Sequence, residues 1–403
     1  MHKPISRPHR PAPSQPHAAA HRPSAVQPSP TRVVALLIAL LIMLASTPQR
    51  AVAAPASADA WNPQRTWVFV VGILEWKDAQ TYAPFPKTNR RDVQLEQLLV
   101  RRGVPQDHIV SLHDRAATRP AVLKAYRDLL ARTAPGDELI VYFCGHGDKT
   151  EDGEGWFVTY DAGSSTPATT WSMRSVVTDL QAGFKGRRAL LLADCCYSGT
   201  MAENTRESRG QTPVAALTSS SSSTESTGNW TFTESVIAGL QGDASVDLDH
   251  DGDITLDEIA RYTLGEMRFA DGQRSTFRTT KAYGASPRMA GVSAQAKPRQ
   301  GEHVEVSTEG AWWKARVLDS RAKEVRVHYY GYETSDDAWV PLSKVRVEKT
   351  KTYPTGATVQ VLWKKVWYPA TVLQVQDSLH LIHYEGYPAT WDEWVDVRRM
   401  KAR

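Results

Sequence analysis

Two short apolar runs in this chain end abruptly in side chains that can do chemistry. Leu190-Leu191-Leu192-Ala193 runs into Asp194-Cys195-Cys196-Tyr197-Ser198-Gly199, and Leu139-Ile140-Val141-Tyr142-Phe143 runs into Cys144-Gly145-His146-Gly147. One end offers a thiol and the other an imidazole, fifty residues apart in His146 and Cys196. A free thiol is mostly protonated near neutrality. An imidazole beside it raises the thiolate fraction and can later protonate a leaving group, which is the requirement for nucleophilic catalysis.

A second chemical pattern is acidic. Asp247, Asp249 and Asp251 fall at positions 1, 3 and 5 of a twelve-residue loop, Gly252 supplies the sharp turn at 6, Asp253 stands at 7 and Glu258 at 12. That spacing is the EF-hand calcium loop, in which hard oxygen donors surround a hard cation. Gly242 interrupts the segment leading into it and no second loop of this kind follows, so an Asp-rich turn with Thr255 capping the next helix is the competing reading. Calcium is the one cofactor indicated; no motif asks for an organic one.

Both apolar runs read as buried parallel strands delivering their groups at the C-terminal end. Thr66–Ile73 reads as a first strand and His108–Leu112 as a short one, with helices over Arg90–Arg102, Arg119–Arg132 and Trp171–Phe184. A Gly-rich hairpin is expected around Asp152–Tyr160, and Val214–Thr218 reads as a further strand. Helices follow over Thr231–Leu240 and through Arg261 to Met267. This alternation predicts an α/β fold with a mostly parallel sheet sandwiched by helices. Met201–Thr212 lacks apolar periodicity and is expected to be an exposed loop, and Ser219–Ser226 is almost pure Ser and Thr.

Composition bounds the rest. The 403 residues allow two to three domains, and 48 basic against 44 acidic side chains leave only +4, so no nucleic-acid-binding field is indicated. Three cysteines, all at the two strand ends, favour thiol chemistry over disulfide staples. Residues 1–54 read as a polar leader followed by the apolar run Val33–Ala45 and the small-residue site Ala51-Val52-Ala53. These are signs of a signal peptide, with a membrane anchor at 33–45 as the alternative.

After a polar linker at 291–300 the chain repeats itself at an offset of 55: Trp312, His328, Tyr329, Gly331 and Tyr332 recur as Trp367, His383, Tyr384, Gly386 and Tyr387. Residues 301–348 and 355–403 are each expected to be a small all-β, SH3-like barrel.

The pair Cys-Gly-His-Gly and Asp-Cys-Cys-Tyr-Ser-Gly, at a separation typical of caspases, resembles the metacaspase and prokaryotic caspase-like branch of that clan. The resemblance covers about Thr66 to Gly291, within a domain placed at 62–290 that includes the acidic loop 247–258. It implies a cysteine endopeptidase acting on peptide or protein substrates, with Cys196 as nucleophile, His146 as base, and the N–H groups of Gly147 and Cys196 as oxyanion hole. It also implies a specificity pocket lined by Asp194 and Asp92, which would favour Arg or Lys before the scissile bond, although Arg90 and Arg91 leave Asp specificity open. Processing is implied in the expected loop, where Arg206 and Arg209 are candidate self-cleavage sites. The repeats resemble chromo-barrel and Tudor-knot domains, and Tyr368, Tyr384, Tyr387 and Trp391 match the positions of a cation-binding aromatic cage. Asp336 replaces the tryptophan in the first copy. For an exported protein this implies a peptide or cell-surface ligand. The rival reading is a catalytically silent caspase fold acting through its barrels.

Overall fold

The computed structural model describes residues 60–163, 170–294, 297, 299–347, 352–363, 365–376 and 379–403. The leader, Val33–Ala45 and the expected cleavage site lie outside them. Among the described residues no helix is long and apolar enough to cross a membrane.

The α/β domain is built on strands β1 (Thr66–Gly72), β2 (Ile109–His113), β3 (Glu138–Cys144), β7 (Arg188–Asp194), β8 (Val214–Thr218) and β10 (Thr276–Thr279). They lie in the order β10-β8-β7-β3-β1-β2. The first five pair in parallel, as the alternation predicts, while β10 closes the edge antiparallel to β8. Three short strands, β4 (Gly147–Lys149), β5 (Gly155–Val158) and β6 (Thr170–Ser172), form a separate antiparallel sheet just past β3.

Both faces of the main sheet are buried, so its strands are continuously apolar rather than alternating. Leu139, Val141, Phe143 and Leu191 pack with helices α2 (Arg119–Arg132) and α3 (Met173–Gly183). Ile140, Tyr142, Leu190 and Leu192 pack with α1 (Arg91–Arg101), α5 (Thr231–Gln241) and α6 (Leu256–Asp271). Between β7 and β8 stands helix α4 (Gly199–Glu207), where the sequence reading expects an exposed loop. Met201, Ala202 and Thr205 of this helix are buried. Its apolar face is two residues wide, too little to register as periodicity.

The acidic loop runs into β9 (Asp253–Thr255), which pairs with β11 (Arg288–Gly291). The two repeats are five-stranded, all-antiparallel sheets. The first holds β12 (His303–Thr308), β13 (Ala311–Arg321), β14 (Glu324–Tyr329), β15 (Ala338–Pro341) and β16 (Val345–Val347). The second holds β17 (Thr358–Trp363), β18 (Val366–Gln376), β19 (Leu379–Tyr384), β20 (Glu393–Asp396) and β21 (Met400–Ala402). A bulge falls between Val317 and Asp319 in one and between Val372 and Gln374 in the other, the same place at an offset of 55.

Both barrels pack on α6 and its surroundings instead of hanging from the linker. Glu266 accepts from His303 Nε2 and Tyr330 Oη, each at 2.6 Å, and His303 stacks on Phe269 at 4.5 Å. In the second barrel the buried Glu393 pairs with Arg399 at 2.6 Å and accepts from Tyr384 Oη at 2.6 Å. It also pairs with Arg278 of β10. Burial alone would raise the pKa of Glu393, but the two guanidinium groups outweigh it and hold the carboxyl well below its usual range.

Glu393→Gln should therefore leave two buried cations undercompensated, at a cost of roughly 3–5 kcal/mol in the urea unfolding of the full chain. A depressed carboxyl pKa stabilises above the unfolded value of 4.5 and loses that contribution as pH falls below it. Wild-type stability should accordingly drop more steeply than that of the variant on acidification past this point.

Candidate active site

Cys144 pairs with Asp194 across β3 and β7, so His146 and Cys196, each two residues further on, emerge at the same edge of the sheet. Gly145 has φ +146°, and its N–H donates to the Asp194 carbonyl at 3.3 Å. A Cβ on Gly147 would stand 2.1 Å from the Cys196 carbonyl oxygen and 2.9 Å from Cys195 Sγ. Only glycine permits that approach. The two strand ends are thus in contact, with Gly147 against the backbone of Cys196.

His146 sits among three rings, with centroids 4.4 Å from Trp76, 4.6 Å from Phe85 and 5.8 Å from Tyr82. Its Nε2 lies 2.8 Å from the Ala83 carbonyl. A carbonyl can only accept, so Nε2 carries the proton and Nδ1 is left as the acceptor. Burial lowers the imidazole pKa against the raising effect of Ala83. The loop that supplies Ala83 and the three rings was not assigned from sequence; its aromatic density between Trp76 and Phe85 was the available signal.

Cys144 and Cys195 are buried, and complete burial pushes both thiols well up. Cys196 is the one cysteine with exposure. Its pKa is also raised, by burial first and by the negative charges of Glu225 and Asp148, against the lowering contact with Ser226. Burial thus favours the uncharged form of both groups, and no hydrogen bond joins them. Tyr197, next in line, holds a left-handed φ of +56°, and its N–H donates to Thr224 at 3.0 Å.

That contact belongs to a strap. The Ser/Thr run after β8 folds over the thiol: the Ser226 N–H donates to Cys196 Sγ at 3.2 Å, and Sγ lies 3.8 Å from the Ser226 carbonyl. Ser219 and Ser220 are fully buried, and Ser220 Oγ donates to the Cys195 carbonyl at 2.9 Å. A stretch that reads as filler is in fact the inner wall of the site, because hydroxyls here satisfy backbone groups at the strand end.

The expected acidic pocket takes a different form. Asp92 is fully buried, bound by Arg90 Nη2 at 2.6 Å and lying 3.4 Å from His113 Nδ1. Burial would raise its pKa, but His113 and Arg90 bring it to about 2. Asp194 accepts from Thr233 Oγ1 at 2.7 Å, and burial pushes it up to about 7. Neither carboxylate stands open to a substrate cation: Asp92 is paired with Arg90, and Asp194 is buried against the Thr233 hydroxyl. Arg90 Nη1 also reaches Asp114 at 2.6 Å, and its Nη2 donates to the Gly72 carbonyl at 3.0 Å.

The self-cleavage expectation is corrected at Arg206, which lies in helix α4 with its side chain 8% exposed. A protease needs an extended backbone, which a packed helix withholds. Arg209 is exposed beyond the helix end.

In the acidic loop, oxygens of Asp247, Asp249 and Glu258 lie within 4.8 Å of one another. Asp247 is buried, and its Oδ1 has no hydrogen-bond partner. Asp251 is outside this group, and the Asp253 carboxylate pairs with Arg288 at 2.5 Å. Glu258 also closes a capping box with Thr255 at the start of α6. The three gathered oxygen donors suit a hard divalent cation.

The proposed cage residues converge. Ring centroids are 6.0 Å apart for Tyr368 and Tyr387, 6.1 Å for Tyr368 and Tyr384, and 5.7 Å for Tyr387 and Trp391; Trp363 joins at 5.6 Å from Trp391.

No curated protein matches this chain. Residues 91–205 match the family model for the metacaspase, peptidase C14 domain. That span holds His146, Cys196, Asp92 and Asp194, and over it the chain is similar to metacaspase-type cysteine peptidase domains. Residues 301–350 match the Agenet domain, and 354–402 match the Tudor-knot, described as an RNA binding activity-knot of a chromodomain. Among solved structures, protein GSU0716 from Geobacter sulfurreducens is 13% identical, covering 57% of this chain and 99% of its own, with a TM-score of 0.40. The Drosophila initiator caspase Dronc is 10% identical, covering 60% and 90%, with a TM-score of 0.39. AGDP1 AGD34 of Arabidopsis thaliana is 14% identical, covering 26% and 81%, with a TM-score of 0.12.

His113, between Asp92 and Glu96, has its pKa raised to about 9 by these two acids. A raised folded pKa stabilises fully below 6.5 and is lost as pH rises through about 9. His113→Gln should flatten the alkaline side of the thermal-melting profile over that interval, while leaving the profile below it parallel to wild type.

Proposed function

We propose that this chain is an exported cysteine endopeptidase working through Cys196 and His146. The observation that carries the reading is a single partly exposed thiol on the turn that touches Gly147, the residue that follows an imidazole whose Nε2 proton is fixed on Ala83. His146 Nδ1 takes the proton of Cys196 as the sulfur attacks the substrate carbonyl carbon. The tetrahedral oxyanion is met by the N–H groups of Gly147 and Cys196. The imidazolium then gives its proton to the leaving amine, and water, deprotonated by the same imidazole, releases the acyl group and restores the thiol. Because Ser226 occupies the face of the sulfur, the strap moves before a peptide enters.

Cleavage after Arg or Lys is the specificity we favour. Asp92, Asp114 and the Gly72 carbonyl already hold one guanidinium, that of Arg90, so the set has the donor-accepting geometry a substrate arginine needs once Arg90 yields it. Self-cleavage is assigned to Arg209. Export rests on the run at 33–45, and N-terminal sequencing of the secreted protein locates the cut.

Calcium would be held by Asp247, Asp249 and Glu258. It would supply charge neutralisation for a buried carboxylate and fix the start of α6, on which both barrels pack. Calorimetric titration of the full chain should show calcium binding that Asp249→Ala removes; the exposed position of Asp249 spares the core.

Cys196→Ala and His146→Ala should each lower hydrolysis in a peptide library by roughly a thousandfold or more, without additivity, and Cys195→Ala should leave the Cys196 thiol reactive. Cuts after Asp would overturn the basic specificity. A wild type that labels with a thiol probe and cuts nothing would favour the silent binding fold.

A further inference from the structure

The aromatic wall of the second barrel already has a cation on it. Arg206, in the helix that leaves the Cys196 turn, places its guanidinium carbon 3.9 Å from the Trp391 ring centroid and 5.2 Å from that of Trp363. Glu203, one turn back, pairs with the same guanidinium. Its Nε is buried without a hydrogen-bond partner, so the indole faces supply much of what replaces water around this charge. The first barrel has Asp336 and Thr308 at the positions of Trp391 and Trp363, so only the second copy can build this wall.

A second contact leads from the same barrel toward the thiol. Arg398 donates to the carbonyls of Gly272 and, at 3.1 Å, Gln273, just past the end of α6. Gln273 is buried beneath the strap: with its amide turned to satisfy its neighbours, it donates to the Ser219 carbonyl at 3.1 Å and accepts from Thr227 Oγ1 at 3.2 Å. These two residues bracket Ser226, whose N–H rests on Cys196 Sγ. Between barrel and peptidase domain remains a cavity of about 990 Å³, lined among others by Arg206, Ser222, Gln273 and Glu393. Interfaces that leave such open space, lined by charged groups, separate more readily than large close-packed apolar ones.

We propose that the aromatic wall of the second barrel is a guanidinium-binding site whose ligand is Arg206 of the same chain, and that this engagement clamps the strap over Cys196. The barrel is then an inhibitory element of the peptidase domain, and its pocket is closed to outside cations while docked. The inference takes from the proposed function only that Cys196 is the reacting thiol.

The test is the rate at which iodoacetamide alkylates Cys196 in the full chain, located by mass spectrometry, with buried Cys144 and Cys195 as internal controls. Arg206→Gln and Trp391→Ala should each raise the rate roughly tenfold, on the scale of one desolvated cation–π contact. Arg206→Lys keeps the charge and should restore most of the protection. Arg398→Met, which leaves α4 untouched, should raise the rate as well and carries the test if an α4 variant fails to fold. Folded Arg206→Gln and Trp391→Ala proteins alkylating at the wild-type rate would overturn the clamp, as would Arg206→Lys alkylating as fast as Arg206→Gln. Faster alkylation in a protein that cleaves no peptide would sink the peptidase reading and leave the clamp standing. An active peptidase with unchanged alkylation would do the reverse.

Discussion

The candidate site depends on two parallel strands ending flush. With Cys144 opposite Asp194, the turns after β3 and β7 must share one small volume, and they do so only because Gly147 brings no side chain to the Cys196 carbonyl. A one-residue slip would turn His146 and Cys196 to opposite faces of the sheet. The apolar cores on both faces hold the register against that slip, since each strand residue already has a buried place. Sheet packing therefore sets the chemistry.

Around that edge, burial governs electrostatics. Enclosure favours the uncharged form of both the His146 imidazole and the Cys196 thiol. The same enclosure makes lone carboxylates costly. Asp92 takes Arg90 and His113 as partners, while Asp194 takes a hydroxyl and a raised pKa. An acid pair that reads as a pocket for foreign cations is, in the folded chain, satisfied from within.

The barrels show how a repeat diverges. Positions that build the sheet recur at the offset of 55, down to the bulge, so both copies fold alike. Positions that dock do not recur. His303, Arg316 and Tyr330, which gather on Glu266, correspond to Thr358, Thr371 and Glu385, whereas Trp391, Glu393, Arg398 and Arg399 correspond to Asp336, Ala338, Ser343 and Lys344. Each copy thus meets its own part of the α/β domain, and among the described residues the second reaches the helix that follows Cys196.

The thiol, the imidazole, the strand-helix alternation and the duplicated C-terminal domain were legible in the sequence because each is a local pattern: residue type, periodicity or fixed spacing. Helix α4 was not, since its buried face is short and its partners lie in β8 and β10. Nor was the role of Ser219–Thr227, because serine looks the same in a linker and against a buried carbonyl. Which of two adjacent cysteines keeps solvent, which base binds Asp92, and what rests on Trp391 are settled by packing between segments far apart in the chain. Sequence by itself determined the reactive groups and the elements that carry them. Tertiary structure alone decided their surroundings and their partners, because burial and charge pairing arise only where distant segments meet.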